Sequence, residues 1–96
     1  MPKTLEVTLI GKPGCHLCDD ARAVVERVLA GFESAHPGEL DIAFAELDIN
    51  QDAALAERYR EEIPVLTLDG RVHNYWRIDP DRLRAALETL AAGDAV

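Results

Sequence analysis

Aromatic side chains are scarce in this chain, only 5% of 96 residues. A core must therefore be assembled from Leu, Val, Ile and Ala. Basic residues are also in deficit, ten against eighteen acidic, for a formal charge of −8. That balance repels phosphate backbones and anionic membrane surfaces, so neither nucleic acid nor membrane is expected as a partner. No apolar stretch approaches the roughly twenty residues that a membrane span needs. The opening Met1-Pro2-Lys3-Thr4 leads into a strand without a signal core or cleavage site, which predicts a cytoplasmic protein. No internal repeat, low-complexity segment or linker interrupts the sequence, and the length suits one domain spanning 1–96.

Cysteine is nearly absent too, and the two present are placed with consequence. Cys15-His16-Leu17-Cys18 follows an apolar run, Val7-Thr8-Leu9-Ile10, and a turn, Gly11-Lys12-Pro13-Gly14. It opens a segment of helical periodicity through Leu17, Ala21, Val24, Val25 and Val28. A C-x-x-C at a strand-to-helix junction points to dithiol/disulfide redox chemistry. The helix N-terminus, with unpaired N–H groups and the positive dipole end, favours an anion, so a sulfur there becomes a thiolate more easily. A disulfide across so short a loop removes little unfolded-state entropy, which argues against a purely structural staple.

Hydrophobic patterning predicts the order β-α-β-α-β-β-α. The first strand is expected over Leu5–Ile10, near-continuously apolar like a covered central strand. The first helix should run from about Cys15 to Ala30, stopped by Gly31, with Phe32–Gly38 as a loop. Leu40–Leu47 alternates as a second strand with Leu40, Ile42 and Phe44 on one face. A short second helix, N-capped by Asn50, carries Leu55 and Tyr59. Val65–Leu68 and Arg71 to Tyr75 or Trp76 form a hairpin about Asp69-Gly70. A third helix opens at Asp79-Pro80, buries Leu83, Ala86, Leu87 and Leu90, and stops at Gly93. The result is an α/β fold with a four-stranded mixed sheet flanked by three helices, the cysteines at the carboxyl end of the first strand.

With these residues in view, the chain resembles the glutaredoxin-like proteins of the thioredoxin-fold superfamily. Lys12-Pro13-Gly14-Cys15-His16-Leu17-Cys18 is similar to the glutaredoxin active-site turn, Ile63-Pro64 to its cis-proline position, and Leu47-Asp48-Ile49-Asn50 to the end of its second strand. The resemblance implies a dithiol thiol–disulfide oxidoreductase. Cys15, at the helix start, is the expected attacking thiolate, and Cys18, one turn in and more buried, the resolving thiol. Pro64 is expected to be cis, leaving the Ile63 backbone to pair with an extended substrate. Lys12 is the one glutathione-carboxylate contact that the comparison retains. His16, if protonated, stabilises a neighbouring thiolate, whereas Asp19 and Asp20 oppose one.

Two departures qualify the resemblance. His16-Leu17 replaces the usual Pro-Tyr between the cysteines, and Tyr75-Trp76-Arg77-Ile78-Asp79 stands where a Gly-Gly pair and acidic residues would hold glutathione. No bound cofactor is expected, and glutathione as co-substrate is in question. The expected partners are a disulfide-containing protein or small molecule and an electron donor, either a thioredoxin reductase system or glutathione. Period-2 alternation predicts one of Tyr75 and Trp76 to point inward. Zinc or an iron–sulfur cluster remains an alternative, with His16, His36 and His73 as further ligands, although their spacing lacks the H-x₃₋₅-H pattern and no metal residue is assigned. A redox-inert interaction domain is the third reading.

Overall fold

The computed structural model describes residues 3–93. β1 (Lys3–Gly11) is followed by α1 (His16–Ala35), β2 (Leu40–Asp48), a single 3₁₀ turn (Ile49–Gln51) and α2 (Ala53–Tyr59). β3 (Val65–Leu68), β4 (Arg71–Tyr75) and α3 (Pro80–Ala91) complete the order. The sheet runs β2-β1-β3-β4, with β1 parallel to β2 and antiparallel to β3. β1 is thus central, as its apolar run requires.

Alternation along β1 divides the core. Leu5, Val7 and Leu9 face a cluster with Val25, Leu29 and Phe32 of α1 and Leu83 and Leu87 of α3. Ile10 and Val65 instead meet Ile49 and Tyr59, with Leu55 packed against them. Two helices therefore cover one face of the sheet and α2 the other. The hairpin turns on left-handed backbone at Asp69 (φ 51°) and Gly70 (φ 82°), the type I′ pattern that matches strand twist. Asp69 Oδ1 also accepts the Glu6 N–H at 2.8 Å, tying the turn to β1. At α3, Asp79 Oδ1 accepts the N–H groups of Asp81 (2.9 Å) and Arg82 (3.2 Å), and Pro80 occupies the first helical position.

Three local expectations are corrected. Gly31 does not stop α1, which continues to Ala35. Burying Phe32, 4% exposed, on the same stripe as Val28 and Leu29 outweighs the roughly 1 kcal/mol that a mid-helix glycine costs. The stop falls at His36, where Pro37 disfavours helical backbone and Gly38 takes φ 75°. Asn50 does not cap α2. Asp52 does so, its Oδ1 accepting from Ala54 N–H (3.0 Å) and Leu55 N–H (3.3 Å), while Asp48 caps the preceding 3₁₀ turn. Neither Tyr75 nor Trp76 points inward. Both are exposed, because Trp76 adopts φ 64° and leaves the strand alternation.

Phe32 as a core residue carries a direct test. Phe32→Ala should lower the unfolding free energy by about 3–5 kcal/mol in a denaturant melt. A change within the ~0.5 kcal/mol typical of surface positions would return Phe32 to the loop.

Candidate active site

β1 delivers the chain to a turn at Lys12–Gly14, and Gly14 reverses it with φ 77°. Cys15 is the N-cap of α1, in extended backbone, and its Sγ accepts the Cys18 N–H at 3.2 Å. Serine and aspartate commonly fill this capping role with oxygen; here a sulfur faces the unpaired N–H groups at the positive end of a 20-residue helix. A thiolate fits that place better than a thiol, since charge strengthens an acceptor. The two sulfurs are joined as a disulfide, with Cα atoms 5.2 Å apart.

The cysteines differ in access. Cys15 is half-buried, whereas Cys18 is only 2% exposed. Gly11 explains how Cys18 fits, because a Cβ added there would stand 2.8 Å from the Cys18 Sγ. Glycine at the end of β1 thus permits the close approach of the sulfur.

Ile63 and Pro64 arrive from the other side. The antiparallel register, Ile10 opposite Val65, carries the preceding Pro64 to the carboxyl end of β1. The Ile63–Pro64 peptide is cis; Pro64 is buried and Ile63 half-buried. The Pro64 carbonyl accepts the Trp76 N–H at 2.8 Å, and the Trp76 indole N–H donates to the Glu61 carbonyl at 3.2 Å. Trp76 is 51% exposed and shares a small groove with Leu17, the residue before Cys18. Tyr75 meets Trp76 edge-on with ring centroids 4.9 Å apart. The turn after β4, the proline loop and the first turn of α1 therefore converge. Lys12 and His16 are exposed beside them.

Charge around the pair is organised by a residue the sequence reading did not single out. Arg22 pairs with Asp19 at 3.0 Å and reaches across to Glu46 of β2 at 2.5 Å. Glu46 first and Asp19 second hold the Arg22 guanidinium above its ordinary pKa. The opposition that Asp19 offers to a thiolate is thus partly neutralised. A signal existed for Glu46. It continues the Leu40, Ile42, Phe44 face, an acid at the fourth and exposed position of that face, and Arg22 lies four residues after Cys18.

The histidines do not gather. His16 begins α1, His36 stacks on Phe32 and meets Glu39 at 2.9 Å beyond its far end, and His73 is on β4. Burial, assisted by the nearby Arg82, lowers the His73 pKa. Among the described residues, no group of three or more His, Cys, Asp or Glu is placed to hold a metal ion.

A C-x-x-C at a helix N-terminus, beside a cis-proline and above this sheet order, defines a thioredoxin-fold protein with redox-type chemistry. Residues 6–88 match the family model "Glutaredoxin-like domain (DUF836)", and the chain belongs to that family. It is 33% identical over 85 residues to Rv0508 of Mycobacterium tuberculosis, covering 83% of this chain and 79% of that one. A "Glutaredoxin-like protein YDR286C homolog" of Dictyostelium discoideum is 24% identical over 88 residues, covering 92% and 80%. Among solved structures, protein XcR50 of X. campestris is 36% identical with a TM-score of 0.64, covering 86% of this chain and 96% of that one. A thioredoxin from Halobacterium salinarum shares the fold at a TM-score of 0.61 and 24% identity, covering 98% and 79%. No helix in the described residues is long and apolar enough to cross a membrane.

The Gly11 packing yields a prediction. Gly11→Ala should displace the Cys18 sulfur and cost about 1–3 kcal/mol by overpacking. It should also slow closure of the Cys15–Cys18 disulfide in an oxidation assay. Wild-type stability together with wild-type closure would mean that this approach does not constrain the pair.

Proposed function

We propose that this protein is a dithiol thiol–disulfide oxidoreductase. The observation that carries the proposal is the Cys15 Sγ accepting the Cys18 N–H at the start of α1, with Cys18 buried directly behind it. The more accessible sulfur has the electrostatic support a nucleophile needs, and the second sulfur is within bonding reach.

In the reducing direction, the Cys15 thiolate attacks one sulfur of a substrate disulfide. A Cys15–substrate S–S bond forms, and the other substrate sulfur leaves with the electron pair and takes a proton. Cys18 then displaces the remaining substrate sulfur, closing the Cys15–Cys18 disulfide. The substrate gains two electrons and the dithiol loses them. An external donor restores it.

Ile63, ahead of Pro64, offers backbone for pairing with an extended substrate, and Lys12 supplies positive charge and His16 a polar ring at the entrance. Leu17, Tyr75 and Trp76, 37%, 43% and 51% exposed, add an apolar surface at the same end. That surface suits a polypeptide disulfide better than a small polar one. The segment Tyr75-Trp76-Arg77-Ile78-Asp79, without the Gly-Gly pair that helps glutaredoxins bind glutathione, favours a thioredoxin reductase system as donor. The chemistry suits a reducing compartment such as the cytoplasm.

The test uses two cysteine variants against a protein disulfide. Cys15→Ser should abolish reduction, and Cys18→Ser should accumulate a mixed disulfide visible by mass spectrometry under non-reducing conditions. Turnover should be faster with thioredoxin and its reductase as donor than with glutathione and its reductase. Wild-type turnover in both cysteine variants would overturn the assignment.

A further inference from the structure

Cys18 must ionise to resolve a mixed disulfide, yet its surroundings disfavour charge. Burial raises a thiol pKa, and the N–H of Cys18 itself is already given to Cys15. A cavity of about 310 Å³ opens beside it, walled by Gly11, Lys12, Arg22, Glu46 and Asp48 among others. Arg22 follows Cys18 by one helical turn on the same face, a spacing that puts Cβ atoms about 5–6 Å apart. Its guanidinium is fixed at two points, Nε on Glu46 and a terminal nitrogen on Asp19.

We propose that Arg22, clamped by Glu46 and Asp19, is a positioning residue that sets the ionisation of the resolving Cys18, with Glu46 as its counterweight. The proposal rests on the oxidoreductase reading above and names what tunes its second step. The other charges facing the cavity are less suited. Lys12 is exposed on the turn, and the Asp48 carboxylate is engaged by the Asn50 N–H at 2.8 Å. Ile63 and Pro64, on the β3 side, carry no charge. The Arg22–Glu46 couple bridges α1 and β2 across the cavity wall, so its two charges are held in place.

In the step itself, the Cys18 S–H gives its proton to solvent through the cavity. The thiolate attacks the Cys15 Sγ, the Cys15–Cys18 bond forms, and the Cys15–substrate bond breaks. The substrate sulfur leaves with the electron pair and is then protonated. A fixed guanidinium favours the thiolate that begins this sequence. Glu46 restrains the effect, and capture of Cys15 removes the negative charge of its thiolate, which further favours ionisation of Cys18.

The decisive measurement is the Cys18 pKa in a Cys15→Ser background, from the pH dependence of alkylation by iodoacetamide. Arg22→Gln should raise it by about one pH unit, and Glu46→Gln should lower it. Arg22→Lys should remain near wild type. With both cysteines present, Arg22→Gln should slow resolution of a preformed Cys15 mixed disulfide about 3-fold near neutral pH, because a tenfold loss of thiolate is partly offset by its greater nucleophilicity. Opposite shifts in the two Gln variants are the signature of charge. Shifts of the same sign, or none, would overturn the proposal, since loss of a merely structural clamp moves Cys18 alike from either side. The pKa needs no turnover, so opposite shifts in a protein that reduces no disulfide would sustain this role and overturn the oxidoreductase reading.

Discussion

A Cβ at position 11 would press on the Cys18 sulfur at 2.8 Å, so the start of α1 packs this closely on β1 because β1 ends in glycine. That contact fixes the distance between the central strand and the first turn of the helix. It buries one sulfur and leaves the other at the helix cap. The rest of α1 holds the contact in place through Val25, Leu29 and Phe32, packed on Leu5, Val7 and Leu9. The unequal access of the two sulfurs is thus a consequence of how a strand end and a helix start meet. The same packing leaves room for the cavity walled by Arg22 and Glu46.

Local chemistry made much of this legible in the sequence. Asp79-Pro80 specifies its geometry with a side chain that acts within two or three residues, Asp69-Gly70 with left-handed backbone, and both are found in the roles read for them. The near-continuous apolar run of β1 marked it as central. Errors arose where a local signal competed with packing. Gly31 resembles a helix stop, but Phe32 beyond it has more to gain by completing the buried stripe. Asn50 and Asp52 are both able caps, and only the path of the chain after Asp48 decides between them. At Trp76 the alternation fails because the backbone turns left-handed there, which a non-glycine residue gives no warning of.

The site was legible in its centre and not in its surroundings. Cys15, Cys18 and Pro64 stand out by spacing and residue type. Arg22 and Glu46 lie 24 residues apart in sequence and meet only because β1 and β2 pair in parallel, with Leu9 opposite Glu46. The strand face that carries Glu46 was visible in the alternation, but its partner was not. Trp76 likewise becomes part of the site through its hydrogen bonds to Pro64 and Glu61, neither of which sequence separation suggests. This aromatic turn stands where the resemblance to glutaredoxins would place a Gly-Gly pair.

The proposed oxidoreductase role requires the Cys15–Cys18 bond to open and close in use. The most direct measurement is its reduction potential, obtained by equilibrating the intact protein in graded thiol–disulfide buffers and trapping free thiols for mass analysis. A redox-active pair should titrate at about −270 to −180 mV, the span of thioredoxin, glutaredoxins and protein disulfide isomerase. A pair that stays oxidised below about −300 mV behaves as a structural disulfide, and that result would contradict the account.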